Sequence, residues 1–436
     1  MPHRLGFFLL ITILAVVGCA REERPGPQVR VMPNGLTVIA RENRGADVVS
    51  VQAWVREGTL YETAQSSGTA YVLTRTLLSQ SESRGPHEIA RAIEAVGGVM
   101  AGIPGQDNTH FTVTVPAGQF DLAVDLLADA LLHPVFDAAD VERAKGEARK
   151  GLEALAERPI DQAHLLCLRT IANDHPISRP VLGAPAAVAA LDAGALKARY
   201  LERYVGANMA VVVVGNVDPR VAADKIENAF AGLRQGAPAE PVARSIAWPE
   251  KPLRVREQAD VKRAYMVIGF PGPGVKDDDH LAADVLMMAL ANGRASRLNR
   301  LLVDEKGLAG SVGGGWYTRP WPSPCFVWME LPAENVQAAE AAVVELVSSL
   351  ARETPTAEDL ERGKALLASY ATFQDETCEQ QASFEGYWFT VAGTGYSDSY
   401  LERVAAVTAE DLRKAAASYL RPEARATAVL EPAWVR

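Results

Sequence analysis

The sequence predicts an α+β protein made of two homologous halves, each with a largely antiparallel sheet and helices packed on one face of it. Three observations carry this prediction. First, the chain repeats itself. Leu196-Lys197, in an amphipathic stretch ending Met209-Ala-Val-Val-Val-Val214, corresponds to Leu412-Arg413 before Ala426-Thr-Ala-Val-Leu430, 216 residues on. Asp140-Val-Glu-Arg-Ala-Lys145 corresponds to Asp359-Leu-Glu-Arg-Gly-Lys364, 219 residues on. Second, alternating strand-like stretches open the halves at 49–55 and 264–270, their ends 215 residues apart. Third, clusters of helical periodicity follow those strands, and each half finishes on another strand, the pattern of helices laid on a sheet.

The elements of the first half follow in order. Asn34-Gly35 is a hairpin signal between strands 29–32 and 36–41. Residues 66–80 and 87–96 read as helices, and 108–115 alternates as a strand. After Pro116, residues 120–132 and 138–156 carry helical periodicity, with Asp137 placed to cap the second. Prolines 238, 241, 249 and 252 mark residues 235–256 as the linker between halves spanning 29–234 and 257–436.

The 436 residues carry 44 Lys+Arg against 54 Asp+Glu, a net charge of −10, with 48% hydrophobic residues. That balance belongs to a folded chain with more than one core, and it supplies no basic footprint for nucleic acid. The four cysteines, at 19, 167, 325 and 378, form no CxxC pair, so neither a zinc ribbon nor a redox motif is present. The seven histidines include no pair at i, i+3 or i, i+4. Asp277-Asp278-Asp279-His280, the densest group of candidate ligands, reads as the acidic start of an apolar helix. Gly269-Phe-Pro-Gly-Pro-Gly274 reads as a turn, because its prolines lack the amides that would cradle a phosphate. Trp316, Tyr317 and Trp321 around Arg319 are candidates for a peptide-binding wall.

Residues 5–17 form an apolar run behind Arg4, too short to cross about 30 Å of hydrocarbon as a helix, and read as a signal peptide. The run ends Val16-Val17-Gly18-Cys19, which resembles the bacterial lipoprotein signal. The resemblance implies cleavage of 1–18, acylation of Cys19, a tether over 19–28 and a mature charge of −11. It also implies a membrane-anchored envelope protein, with Ala20 fitting the outer membrane and a periplasm-facing body. An ordinary secreted protein with an incidental Cys19 is the alternative. The other three cysteines are expected as buried structural thiols.

Several stretches resemble one known family. Pro33-Asn-Gly-Leu-Thr-Val38, Val55-Arg-Glu-Gly58, Gly68-Thr-Ala70, His175-Pro-Ile-Ser-Arg-Pro-Val-Leu-Gly183 and residues 208–218 resemble the first half of the insulinase-like (pitrilysin, M16) zinc peptidases. Gly293-Arg-Ala-Ser-Arg-Leu298, Gly307-Leu-Ala309 and Val407-Thr-Ala-Glu-Asp-Leu412 resemble the second half. The resemblance implies the M16 (LuxS/metallopeptidase-like) fold. It also implies an inverted zinc motif, His-x-x-Glu-His on a helix, with a third ligand, Glu, about eighty residues on. In this chain the motif positions hold Tyr71, Thr74 and Arg75, and the third falls on Arg149, or on Glu147 or Glu153 with a slip. Tyrosine is a poor ligand near neutral pH, threonine is no base, and arginine stays a cation. The family's substrate-contacting Asn falls on Ala101, and its Arg/Tyr pair falls on Val303 and Gly310.

The family forms a clamshell around a chamber of four such halves, of which one chain supplies two. The expectation is therefore a non-catalytic subunit with no cofactor of its own. It would pair with an M16-like chain that carries an intact HxxEH motif and the zinc, completing a peptide-degrading chamber. A homo-oligomeric peptide-binding or envelope scaffold is the alternative from a different class, since the family also includes non-catalytic core subunits of respiratory complexes. An active metallopeptidase with unrecognised ligands is the third.

Overall fold

The computed structural model describes residues 26–243 and 245–434. The signal peptide and Cys19 lie outside the described residues. In the first half β1 (Gln28–Val31) and β2 (Thr37–Glu42) form the hairpin around Asn34-Gly35. Gly35 has a φ of 91°, and a Cβ there would sit 3.0 Å from the Ala207 amide nitrogen, so the turn needs glycine on both counts. Strands β3 (Val48–Val55), β4 (Val99–Pro104), β5 (Thr109–Pro116) and β6 (Met209–Gly215) complete a sheet of order β1-β2-β6-β3-β5-β4. The second half contributes β7 (Leu253–Ala259), β8 (Ala264–Phe270), β9 (Ser311–Trp316), β10 (Cys325–Leu331) and β11 (Ala426–Pro432), in the order β7-β11-β8-β10-β9.

The two orders superpose, with β2 on β7, β6 on β11, β3 on β8, β5 on β10 and β4 on β9. Pairing is antiparallel except at the matching pairs β2/β6 and β7/β11, which are parallel. The duplication read from the sequence is thus a duplication of topology, with β1 as an addition to the first half. Strand β7 starts at Leu253, inside the stretch read as linker. Its exposed charged residues hide it, since it is an edge strand beside β11.

Helices Phe120–Leu132 and Ala138–Ala156 have the expected bounds, and the Asp137 side chain accepts from the Ala139 amide at 2.8 Å. The two preceding helices are shorter than their periodicity, Thr69–Leu77 and Glu88–Glu94. A left-handed Gly68 starts the first, so Ser66 and Ser67 fall outside it.

Alternation along the strands sorts side chains between two cores. Val49, Val51, Ala53 and Val55 of β3 face the first half's own helices. Ser50, Gln52 and Trp54 face the other way. That other face is covered by a helix of the second half, Cys378–Val391, against Ala210, Val212 and Val214 of β6. The valine run of β6 is buried on both sides, which accounts for its unbroken apolar character. The exchange is reciprocal. Helix Pro159–Ala172 of the first half covers the back of the second sheet, where Cys167 and Ile171 pack with Val267, Ala426, Ala428 and Leu430. Each half therefore has its own helices on one face, as expected, and a borrowed helix on the other.

Polar groups fix the register of these crossings. Gln52 Nε2 donates to the Glu379 carbonyl at 2.9 Å and to Ser383 Oγ at 3.1 Å, while the Trp54 indole donates to Gln52 Oε1 at 2.9 Å. Arg56 lies over the Phe389 ring and donates to the Phe389 carbonyl at 2.9 Å, satisfying the end of the borrowed helix. Glycines permit the close approach: a Cβ on Gly386 would lie 2.1 Å from Trp54 Nε1, and one on Gly269 would lie 2.6 Å from Ile171 Cδ1. Gly386→Ala is accordingly expected to cost about 3 kcal/mol. Gly146→Ala, in an open position inside a helix, should gain up to about 1 kcal/mol. Urea denaturation of the two variants checks both signs.

Candidate functional site

The helix that carries the motif positions is set by two close contacts at its start. Gly68 has a φ of 94° and Gly183 a φ of 86°, and a Cβ on Gly183 would meet the Gly68 Cα at 2.4 Å. Two stretches 115 residues apart in the sequence thereby meet backbone to backbone. The buried Glu62 then accepts the Gly68 amide at 2.8 Å and the Ala70 amide at 2.7 Å, placing a carboxylate at the positive end of the helix. Burial, the larger influence, pushes the Glu62 carboxyl up to about 7, and the two amides pull it back. Beneath it, Glu57 is buried with Arg199 Nε at 2.8 Å and Arg203 Nε at 3.5 Å.

Tyr71 and Arg75 lie on one face of this helix, and the Arg75 guanidinium is 5.4 Å from the centre of the Tyr71 ring. Thr74 is fully buried, and its hydroxyl donates back to the Ala70 carbonyl at 2.6 Å, so it is neither exposed nor basic. Arg75 Nε lies 3.7 Å from Glu147 Oε2, on helix Ala138–Ala156 packed alongside. Glu147 is also held by Arg143 at 2.6 Å. Arg149, which the spacing favoured for the third position, is exposed, as is Glu153. Two residues further round a helix is about 200°, so Arg149 turns away where Glu147 turns in. The slipped alternative is the one the structure brings to the corner.

A zinc ion needs lone-pair donors, and this corner offers a phenol and a carboxylate facing a fixed cation. The residues present do not fit a zinc ion. Among the described residues no group of three or more His, Cys, Asp or Glu converges. The Asp277–His280 group is consumed locally: Asp277 accepts the Gly274 amide, Asp279 accepts the Tyr419 hydroxyl, and His280 bonds the Asp277 carbonyl and Tyr396. Asp279 stands at the helix start, as expected, but its side chain makes no capping bond because Tyr419 takes it.

The other carried-over positions are structural. Val303 packs against the second half's core, and the Gly310 amide donates to the Glu330 carbonyl at 2.8 Å. Ala101 sits on β4, opposite Thr112 of β5.

The aromatic concentration does bring residues together. Trp316, Tyr317 and Arg319, with Trp328, line one wall of a cleft of about 1000 Å³ between the halves. Trp54 and His110, stacked at 4.0 Å, Leu165 and Leu168 line it from the first half. Burial holds the His110 imidazole down to about 4, so the lining is neutral there at pH 7. Arg319 is not free to bind a ligand: it is buried, paired with Asp107 and bonded to Gln106. Trp321 does not line the cleft and packs instead into the cluster under helix Pro159–Ala172. Cys167, Cys325 and Cys378 are buried free thiols.

The geometry defines a duplicated metallopeptidase fold whose motif helix ends in a cation paired with a carboxylate. Residues 37–185 match the model of the insulinase family, peptidase family M16, and residues 190–367 match that of the peptidase M16 inactive domain. The chain belongs to the M16 peptidase family. It is 29% identical over 286 residues to a protein of Mycobacterium leprae (strain TN) described as an uncharacterized zinc protease, covering 64% of each chain. The match thus spans just under two thirds of that relative's length. Among solved structures, a protease from Helicobacter pylori matches with a TM-score of 0.86 at 19% identity, over 94% of this chain and 100% of that one. A peptidase M16 inactive domain from Pseudomonas fluorescens matches with a TM-score of 0.84 at 18% identity, over 94% and 98%. At these identities the structural likeness speaks for the fold.

Two expectations follow for the groups that shape this region. Arg319→Met strands Asp107 as a buried unpaired carboxylate and should cost about 3–5 kcal/mol, while adding Asp107→Asn should recover at least half, as read by urea denaturation. Glu62 keeps its proton to about pH 7 in the folded chain, against 4.5 for the ordinary group. Its contribution is fully present below about pH 4.5 and is lost as pH rises through 7. Wild-type stability should fall by about 3 kcal/mol more than that of Glu62→Gln across that window.

Proposed function

We propose that this chain is a non-catalytic M16 subunit that pairs with a zinc-bearing M16 chain and completes its peptide-degrading chamber. One observation carries the reading: the position that should hold the second zinc imidazole is Arg75, ion-paired with Glu147 at the third-ligand position. The buried, back-bonded Thr74 removes the general base as well. Retention of the whole two-half fold around this altered corner supports a role for the surface rather than for the chemistry. The neutral aromatic cleft between the halves supports contact with extended apolar peptide. Acylation at Cys19 would hold the pair in the cell envelope, with the body in the periplasm, and zinc would reside in the partner alone.

The test uses the purified chain, with and without a co-expressed M16 chain bearing an intact HxxEH motif. The chain alone should carry less than about one tenth of an equivalent of zinc and show no chelator-sensitive hydrolysis of an unfolded peptide; the mixed preparation should show both zinc and hydrolysis. Chelator-sensitive hydrolysis by the chain alone would overturn the reading. A complementary expectation concerns Glu147. Tyr71→His with Thr74→Glu and Arg75→His should bind about one zinc per chain, and adding Glu147→Gln should weaken that site about 10-fold or more, by metal titration.

A further inference from the structure

The described chain starts at Gly26, and where it starts has a consequence for orientation. Gly26 lines a hollow of about 380 Å³ together with Arg41, Ala371, Thr372, Phe384 and Leu401. Cys19 lies seven residues earlier, so even a fully extended chain keeps Gly26 within about 25 Å of an acyl group on Cys19. Large apolar side chains crowd the same face. Tyr370 and Phe373, one turn apart at the end of helix Ala357–Phe373, are 54% and 55% exposed, and Leu401, on helix Tyr396–Ala406 beside it, is 39% exposed. Val29 and Val31 of the edge strand β1, which begins two residues after Gly26, are 44% and 67% exposed. Exposed apolar residues scattered singly need no explanation, but these gather where the tether leaves.

We propose that the face bearing Tyr370, Phe373 and Leu401 rests on the lipid bilayer to which Cys19 is anchored. The proposal rests on the lipid-anchored reading of Cys19. Charge decides the mode of contact. Asp375, Glu376, Glu379 and Asp398 surround the hollow, so attraction to anionic headgroups is not the force. Arg41 offsets part of that charge, lying 2.7 Å from Glu385 and 3.6 Å from Asp398. What remains is the preference of aromatic and aliphatic side chains for the interfacial layer. Several acyl chains already hold a protein stably, so the patch adds tilt control rather than affinity: it converts a free tether into a fixed pose.

The test uses the full-length protein purified with its lipid and reconstituted in vesicles of phosphatidylethanolamine and phosphatidylglycerol. An environment-sensitive fluorophore is placed at Phe373→Cys, and separately at Leu201→Cys, which is 45% exposed on another helix. Nitroxide-labelled lipids should quench the label at 373 at least three-fold more than the label at 201, and its emission should shift to the blue. Equal quenching at the two sites, in protein that carries acyl mass and floats with the vesicles, overturns the pose and leaves the anchor standing. Shielding at 373 that lipid quenchers do not reach identifies a second protein chain as the occupant and overturns the pose as well. A mature chain without acyl mass, floating no better than Cys19→Ala, overturns the anchored reading and the pose with it.

Discussion

Every strand that lies inside a sheet has two faces to bury, and in this protein neither half has enough helices to bury both of its own. The first half buries one face of its sheet under Phe120–Leu132 and its neighbours, and the second half does the same with His280–Ala291 and Val336–Arg352. The remaining faces, with Trp54, Val212 and Val214 on one sheet and Val267, Ala428 and Leu430 on the other, are closed only by a helix taken from the opposite half. Much of the rest follows from this mutual cover. It places Gln52 and Arg56 where they bind the borrowed helix, demands glycine at 269 and 386, and leaves the aromatic cleft in the seam between the halves.

The motif corner is a smaller instance of the same logic. Its position depends on glycines whose missing side chains let two distant stretches touch, and on a carboxylate seated at a helix start. None of those features is chemical equipment, and all remain in place. What differs is confined to side chains on two adjacent helices, where Tyr71, Arg75 and Glu147 form a stacked and ion-paired group. A scaffold can keep its shape while its reactive residues change, because the residues that position a site and those that react in it are different residues.

Much of the fold was legible because its signals are local. The Asn34-Gly35 turn, the alternation of β3 and β8, the two helices after Pro116 and the Asp137 cap are each decided within a few residues. The repeated motifs extended that reading to the whole topology. The misses share a cause as well. Strand β4, with Gly98 and Gly102 and an exposed edge, shows little alternation, and β7 is masked by charge. The bounds of helix Thr69–Leu77 depend on Gly68 meeting Gly183, a contact no local window contains. The site was legible to the identity of Tyr71, Thr74 and Arg75. Choosing Glu147 over Arg149 required knowing which way a neighbouring helix faces. The cleft required both halves together: Trp316, Tyr317 and Arg319 stood out in the sequence, whereas Asp107, His110 and Trp54 carried no spacing signal toward them.

The pairing of Arg75 with Glu147 also bears on how the corner can change. A single substitution cannot turn it into a metal centre. With Arg75 in place, any imidazole gained at position 71 faces a permanent positive charge that opposes a dication. With Arg75 removed first, Glu147 loses one cationic neighbour and gains no ion in return. Every one-step neighbour of the present arrangement is therefore without a closed coordination shell, and several changes must arrive together before any of them is rewarded. The corner behaves as a ratchet. Mutation can explore its surface freely, but the way back to zinc runs through intermediates that gain nothing.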